Sequence, residues 1–225
     1  MNQMPVKRYG MAVLLMAVGL LCTGSAKADT VGMTLTGVSG GVQGDVYISP
    51  YLATVGSDTN VAIICDDFTH DVFMKETWTA NVSTFADLSG ARFWKGTQAS
   101  TVPLYDEAAF LTDKYILSGS SQRGDASFAV WAIFSPIQTI GAYGWDSGAA
   151  NLLAEAKSQT FALGAYSNYE VLTPTDPNPT PPYPTSAQEF LVRTPEPSSL
   201  LLLCSGLIAL VMIARRRNLA RFTEA

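Results

Sequence analysis

Apolar and polar residues alternate in several segments between residues 33 and 82. This period of two is typical of half-buried β-strands. It predicts strands at residues 33–38, 46–52 and 61–65, and a further one at 71–82 that is rich in Thr, Val, Phe and Trp. Glycine-containing breaks between these segments predict hairpins, so the first part of the chain should form an antiparallel sheet.

The middle of the chain has a helical pattern instead. Residues 104–117 place apolar side chains on one helical face, and residues 126–134 are apolar on all sides, which predicts a buried helix. Asp125 and Ser147 are of the residue types that cap a helix N-terminus, and they precede 126–134 and a third helix at 148–157.

Two closing strands are predicted at 166–172 and 188–192, and we interpret the proline-rich segment between them as an extended hairpin loop. Together these elements predict an α+β fold. It should be a predominantly antiparallel β sandwich or barrel with a central helical segment, in a single domain over residues 29–194.

The N-terminal end has the three parts of a secretory signal peptide. Lys7 and Arg8 precede a 12-residue apolar run, and Ala26 and Ala28 provide the small residues that a signal peptidase requires. Twelve helical residues span about 18 Å, which is too short to cross a bilayer core of about 30 Å. We therefore expect residues 1–28 to be removed and the mature chain to begin at Asp29.

The C-terminal end reads as a second membrane-directed signal. An apolar run at 200–214 is predicted to form a short transmembrane helix that serves as a transient or permanent anchor. Its flanking residues are a proline-containing boundary and a basic cluster: Pro195, Glu196, Pro197, Arg215, Arg216 and Arg217. Because basic residues stay on the cytoplasmic side, residues 218–225 should be a cytoplasmic tail and the domain at 29–194 extracytoplasmic.

This tail, at residues 195–217, resembles the PEP-CTERM sorting signal. The resemblance implies recognition and cutting by exosortase, a membrane-embedded cysteine transpeptidase-like enzyme, after signal peptidase has acted. It also implies export to the cell envelope, outer surface or extracellular matrix of a bacterium that makes extracellular polysaccharide, a candidate partner. The extension at 218–225 departs from the family pattern, and an ordinary C-terminal anchor is the alternative with the same topology.

The domain at 29–194 is acidic, whereas the segments on either side of it are basic. Residues 29–194 contain 17 Asp and Glu against 7 Lys and Arg, a net charge of −10. A nucleic-acid-binding protein needs a basic face, so this composition argues against that class.

The densest group of chemically capable side chains follows the strand predicted at 61–65: Cys65, Asp66, Asp67, His70 and Asp71. One interpretation is a metal site, with calcium favoured by the carboxylates, although its ligands and ion stay open. A second is a cysteine nucleophile activated by His70 and oriented by Asp71. The third, which we favour, is a buried structural cysteine followed by loop carboxylates, in a protein without an enzymatic activity or cofactor.

A second resemblance concerns the same cysteine. A strand ending in Cys65-Asp66 and a helical Ala129-Val130-Trp131 are similar to the thioester domains of bacterial surface adhesins. That resemblance implies an internal bond between a cysteine and a glutamine, which couples covalently to surface nucleophiles. The glutamine should lie four residues before Trp131, where this chain has Ser127. A covalent adhesin and a Cys65-dependent enzyme are therefore the alternatives to a non-catalytic surface protein.

Overall fold

The computed structural model describes residues 30–175, 186–194, 205–207 and 210 of the chain. The chain divides into two compact units, one formed by Ala28–Thr194 and the other by Met1–Lys27 with Pro195–Ala225. The predicted signal peptide lies outside the described residues, as do most of the C-terminal helix and all the residues of the sorting signal named above; residues 205–207 and 210 are helical. Within the described ranges, no helix combines the length and apolar character needed to cross a bilayer.

The first unit that the structure describes is built on a closed antiparallel β-barrel. Its strands follow one another around the barrel in the order β1–β4–β5–β8–β7–β6. Their bounds are β1 Thr30–Val38, β4 Tyr51–Val55, β5 Asp58–Cys65, β6 Thr77–Thr84, β7 Tyr169–Pro174 and β8 Phe190–Arg193. A separate hairpin pairs β2 Val42–Gln43 with β3 Val46–Tyr47. The predicted α+β barrel with a central helical segment is confirmed.

The helices lie between β6 and β7 in the chain. They are α1 Gln98–Leu111, a π-helical turn at Thr112–Ile116, α2 Arg123–Phe134, α3 Pro136–Thr139 and α4 Ser147–Ser158. The predicted caps were wrong by one to three positions. Asp146, not Ser147, accepts the capping hydrogen bond of α4 from the Ala149 N–H. Asp125 lies inside α2, and its carboxylate accepts a hydrogen bond from the Gln43 amide at 3.0 Å.

The single strand predicted at 46–52 is also wrong, because the chain changes partner at Pro50. Proline has no N–H with which to continue a ladder. Residues before it form β3 in the small hairpin, and those after it form β4, which pairs with β1 and β5 in the barrel.

The end of β5, at residues 63–65, and most of β7 and β8 are buried on both faces. All six barrel strands contribute to one apolar cluster, in which Ile63, Cys65 and Phe190 take part. The intervening side chains Ile64 and Leu191 join a second cluster with the helices. Because successive side chains of a strand point to opposite faces, the first cluster is the barrel interior and the second is the layer between barrel and helices.

The β2–β3 hairpin is held against the loop before α4. Its two-residue turn, Gly44-Asp45, has positive φ at both positions (59° and 65°), as a type I′ turn requires. A Cβ at Gly44 would lie 1.8 Å from the carbonyl oxygen of Tyr143. Glycine is therefore needed here both for the turn and for the close backbone approach.

This contact makes a first prediction. Gly44→Ala should lower the free energy of unfolding by more than about 1 kcal/mol, because a side chain meets fixed backbone at a positive φ. Chemical denaturation followed by tryptophan fluorescence measures the change. Gly32→Ala is the matched control, because its added Cβ meets no atom within 4 Å. Equal stabilities of the two variants would contradict the docking of the hairpin.

Candidate functional site

The predicted cluster of acidic residues lies where the end of β5 meets the start of β8. Cys65 pairs with Phe190 across the two strands, and the Asp66 N–H donates to the Glu189 carbonyl at 3.4 Å. Antiparallel pairing thus brings the segment after Cys65 beside Gln188 and Glu189, which lie more than 120 residues later in the chain. Cys65, Asp66, Asp67 and Glu189 are completely buried.

Asp67 is the best-satisfied carboxylate of the cluster. It accepts hydrogen bonds from the Thr69 N–H (2.9 Å) and hydroxyl (2.8 Å), and its other oxygen is 2.8 Å from His70 Nδ1. The same oxygen pairs with the Arg92 guanidinium. Burial by itself would raise the pKa of Asp67, but Arg92, the hydrogen bonds from Thr69 and the proximity of His70 bring it below its ordinary value.

Glu189 is a member of the site that sequence reasoning missed. Its carboxylate accepts hydrogen bonds from the Arg92 N–H at 2.6 Å, the Tyr105 hydroxyl at 2.7 Å and the Thr173 hydroxyl. Burial nevertheless raises its pKa. One feature of the sequence could have indicated it. Glu189 lies in the strand predicted at 188–192 and shares a face with the apolar Leu191, where another apolar side chain is expected.

Asp66 has a different environment. Neither carboxylate oxygen has a hydrogen-bond partner among the described residues, although the side chain is completely buried. Burial, followed by the nearby charges of Glu189 and Asp67, raises its pKa well above the ordinary value. This environment favours the neutral form of Asp66, because Arg92 pairs with Asp67 and an isolated buried carboxylate is costly.

Cys65 is a protonated thiol in this structure. Its Sγ donates to the carbonyl oxygen of Asp67 at 3.2 Å. Burial, with Asp67 and Asp66 next in importance, raises its pKa well above the usual range. The His70 ring, which the sequence suggested as its activating base, hydrogen-bonds to Asp67 and Thr69. Asp71 lies exposed in the loop beyond them.

The remaining sequence-predicted residues are brought near Cys65 by α2. Trp131 is 1% exposed and belongs to the same apolar cluster as Cys65. Ser127, at the position expected for a thioester glutamine, donates its hydroxyl to the Arg123 carbonyl at 2.9 Å. A glutamine does reach the site from elsewhere: the Gln188 amide donates to the Asp67 carbonyl at 3.1 Å.

The described part of the chain contains no set of three or more His, Cys, Asp or Glu side chains arranged to hold a metal ion. The site does offer the buried Asp66 carboxyl group, the Asp67 carboxylate paired with the Arg92 guanidinium, the hydrogen-bonded Glu189 carboxyl group and the Cys65 thiol.

The ion pair of Arg92 makes a second prediction. Arg92→Gln should destabilise the protein by about 3 kcal/mol, because it leaves the buried Asp67 carboxylate without its cation. Arg193→Gln is the control, since that arginine is 54% exposed and lies 3.6 Å from Asp113 in a surface pair. It should cost less than about 1 kcal/mol. Urea denaturation of both variants measures the difference, and similar losses would show that the cluster does not depend on Arg92.

A third prediction concerns Asp66 and pH. Its pKa is higher in the folded than in the unfolded chain, so the folded state binds the extra proton. The contribution of this group to stability is therefore lost as pH rises from the ordinary aspartate range through the folded-state pKa, by up to about 1.4 kcal/mol per pH unit. Asp66→Asn should flatten this decline in urea denaturation between mildly acidic and alkaline pH.

The exposed Asp58→Asn variant controls for the loss of one negative charge and should keep the wild-type slope. Glu189 retains a slope of the same sign in the Asp66 variant, because its pKa is also raised. An unchanged slope in Asp66→Asn would mean that Asp66 is ionised in the folded protein.

Comparison with known proteins identifies the tail. Residues 193–217 match the family model of the PEP-CTERM protein-sorting motif. The chain has no significant match among curated proteins or solved structures. The match begins in β8, at Arg193, and covers all three parts of the tail that the sequence analysis distinguished. Residues 193–217 of this chain therefore carry a PEP-CTERM protein-sorting motif, a finding that supports export by an exosortase-type route.

Proposed function

We propose that this protein is a non-catalytic component of the cell surface or extracellular matrix, whose folded domain at 29–194 is released from its C-terminal tail by an exosortase-type enzyme. The observation that carries this proposal is the sorting motif at 193–217, combined with the signal-peptide pattern at 1–28. Signal peptidase acts first, after Ala28, and the domain then folds outside the cytoplasm.

The parts of the tail have separate roles in this proposal. Pro195, Glu196 and Pro197 form the recognition sequence, and the apolar run at 200–214 holds the precursor in the membrane. The arginine cluster at 215–217 keeps the C-terminus in the cytoplasm. The anchor is transient if the tail is cut and permanent if the extension at 218–225 prevents cutting.

The chemistry around Cys65 supports a non-catalytic role. A nucleophilic cysteine needs a lowered pKa and access to its substrate. Here burial raises the pKa of the thiol, the side chain is completely buried, and the His70 ring is engaged by Asp67. These features favour a structural cysteine over a Cys65-dependent enzyme.

The sorting role is tested by replacing Pro195-Glu196-Pro197 with three alanines and expressing the full chain in its native host. We expect wild-type protein in the outer envelope or medium, with a mass that begins at Asp29 and ends near the Pro195–Ser199 segment. The variant should stay in the inner membrane as a precursor that extends to Ala225. Intact-mass spectrometry of each fraction measures both outcomes.

Truncation after Arg217 is the matched control, because it removes only the extension that departs from the family pattern. It should be processed at least as completely as wild type. Wild-type protein that retains Ala225 in every fraction would overturn the proposal and make the tail an ordinary anchor.

One observation favours a second candidate function, a covalent adhesin. The Cys65 thiol and the Gln188 amide both donate to the carbonyl oxygen of Asp67, at 3.2 and 3.1 Å. Two groups bound to one oxygen are close neighbours, and Gln188 also lines a cleft that is open to solvent. In this proposal Gln188 supplies the acyl group that Ser127 cannot supply.

The covalent step balances without another reactant. The Cys65 sulfur attacks the Gln188 side-chain carbonyl carbon, a C–S bond forms, the C–N bond breaks, and the thiol proton leaves with the nitrogen as ammonia. A surface amine would then open the thioester by forming an amide and restoring the thiol.

Mass measurement distinguishes this candidate. Thioester-bearing protein should be lighter than its sequence by one ammonia molecule, and methylamine should add one methylamine at Gln188. Cys65→Ser and Gln188→Ala should abolish both effects, whereas Gln122→Ala, a glutamine of the exposed segment before α2, should preserve them. A full sequence mass with no methylamine uptake would exclude the covalent role and leave the sorting proposal unaffected.

A further inference from the structure

A cleft of about 360 Å³ opens beside the site, on the side that faces the β2–β3 hairpin. Its walls come from the hairpin, the start of β4, the loop after β5, helix α2 and the segment before β8. Its lining includes Asp45, Tyr47, Phe68, Asp71, Trp131 and Gln188. Its volume lies within the range of about 300–1,000 Å³ in which proteins bind small ligands.

Aromatic rings line the cleft. Tyr47 is 58% exposed, and its backbone carbonyl accepts a hydrogen bond from the Tyr51 hydroxyl at 2.8 Å, which ties the hairpin to β4. Deeper in the cleft, the Phe68 ring packs at 5.1 Å from the Trp131 ring. The hydrogen bond thus fixes the backbone that carries the exposed Tyr47 ring, and Phe68 and Trp131 form a packed aromatic base elsewhere in the same cleft.

Polar groups occur at the rim and at one wall. Asp45 and Asp71 are exposed, and their carboxylates make no hydrogen bond or ion pair with other described residues. The Gln188 amide, held by the Asp67 carbonyl, reaches the same cleft. Neither lysine nor arginine is among the described residues that line it.

We propose that this cleft binds a saccharide that is neutral or carries an amino group. The C–H face of a pyranose ring carries partial positive charge and packs on the negative face of an aromatic ring, which Tyr47 provides. Its hydroxyl groups donate to carboxylates and accept from amides, which Asp45, Asp71 and Gln188 provide. The two rim carboxylates repel uronic acids and sulfated sugars. The described lining has no lysine or arginine to bind such sugars, and its histidine, His70, is hydrogen-bonded to Asp67.

This inference rests on the proposed role outside the cell, where such polymers occur, and it gives that role a ligand class. Binding to purified protein does not depend on processing of the tail. A failure of sorting and a failure of sugar binding therefore give separate results.

The test is titration calorimetry of the full chain, solubilised in a zwitterionic detergent without a sugar headgroup. Three soluble oligosaccharide series of equal length serve as probes: neutral β-glucans, partly deacetylated chitin fragments and oligogalacturonates. We expect saturable binding of at least one of the first two series with millimolar or better affinity, and none of the oligogalacturonates.

Variants locate the binding. Tyr47→Ala should weaken binding about tenfold or more, because it removes the exposed stacking ring. Asp71→Asn should weaken binding of an amino sugar more than binding of a neutral sugar, because only the former gains from the charge. Tyr143→Ala is the control, since this tyrosine is 79% exposed and outside the cleft.

Three results would overturn the proposal. The first is no binding of either non-anionic series in the millimolar range. The second is binding that Tyr47→Ala leaves unchanged. The third is tighter binding of the oligogalacturonates or of a lysine-rich peptide than of either non-anionic series, which would assign the cleft to another ligand class.

Discussion

The ion pair between Arg92 and Asp67 is the interaction on which the site of this protein depends. Three carboxyl groups are buried where β5 ends and β8 begins, and Arg92 contacts two of them, through its guanidinium to Asp67 and its backbone N–H to Glu189. One cation cannot neutralise three buried anions, and burial raises the pKa of both Glu189 and Asp66. Acidic residues can therefore occupy these two strand ends although the ends are buried.

The same strand junction organises the surface beside it. Asp67 holds His70 with its carboxylate, and it accepts from both Cys65 and Gln188 with its backbone carbonyl. The loop after β5 and the segment before β8 consequently form adjoining walls of the aromatic cleft. A polar cluster that is closed on the inside thus supports an open, ligand-sized surface on the outside, which is the arrangement expected of a binding protein.

Part of the fold could be predicted from local pattern. Alternation found the strands that became β1 and β5, and the all-apolar segment at 126–134 proved to be a buried helix because its whole surface is covered by barrel and neighbouring helices. The pattern failed at 46–52. Apolar and polar residues alternate through Pro50 there, but the strand does not continue, because the residues on either side of Pro50 pair with different strands. The pattern also misplaced two helix caps, Asp125 and Ser147, because Asp, Asn and Ser are all suited to capping and the local pattern does not choose between neighbouring candidates. In the structure Asp146 accepts from the Ala149 N–H, whereas Asp125 accepts from the Gln43 amide.

The sequence by itself determined that residues 193–217 form a PEP-CTERM sorting motif. Such a signal is contiguous, so charge, apolar length and proline spacing in the tail are sufficient to recognise it. The sequence also predicted the α+β class, since each strand and helix records its own periodicity. Only the tertiary structure decided the site. Gln188 and Glu189 meet the Cys65–Asp67 segment because antiparallel barrel closure pairs β5 with β8, and Arg92 reaches them from the segment between β6 and α1. Contacts between segments so distant in the chain leave no local periodicity from which they could be predicted.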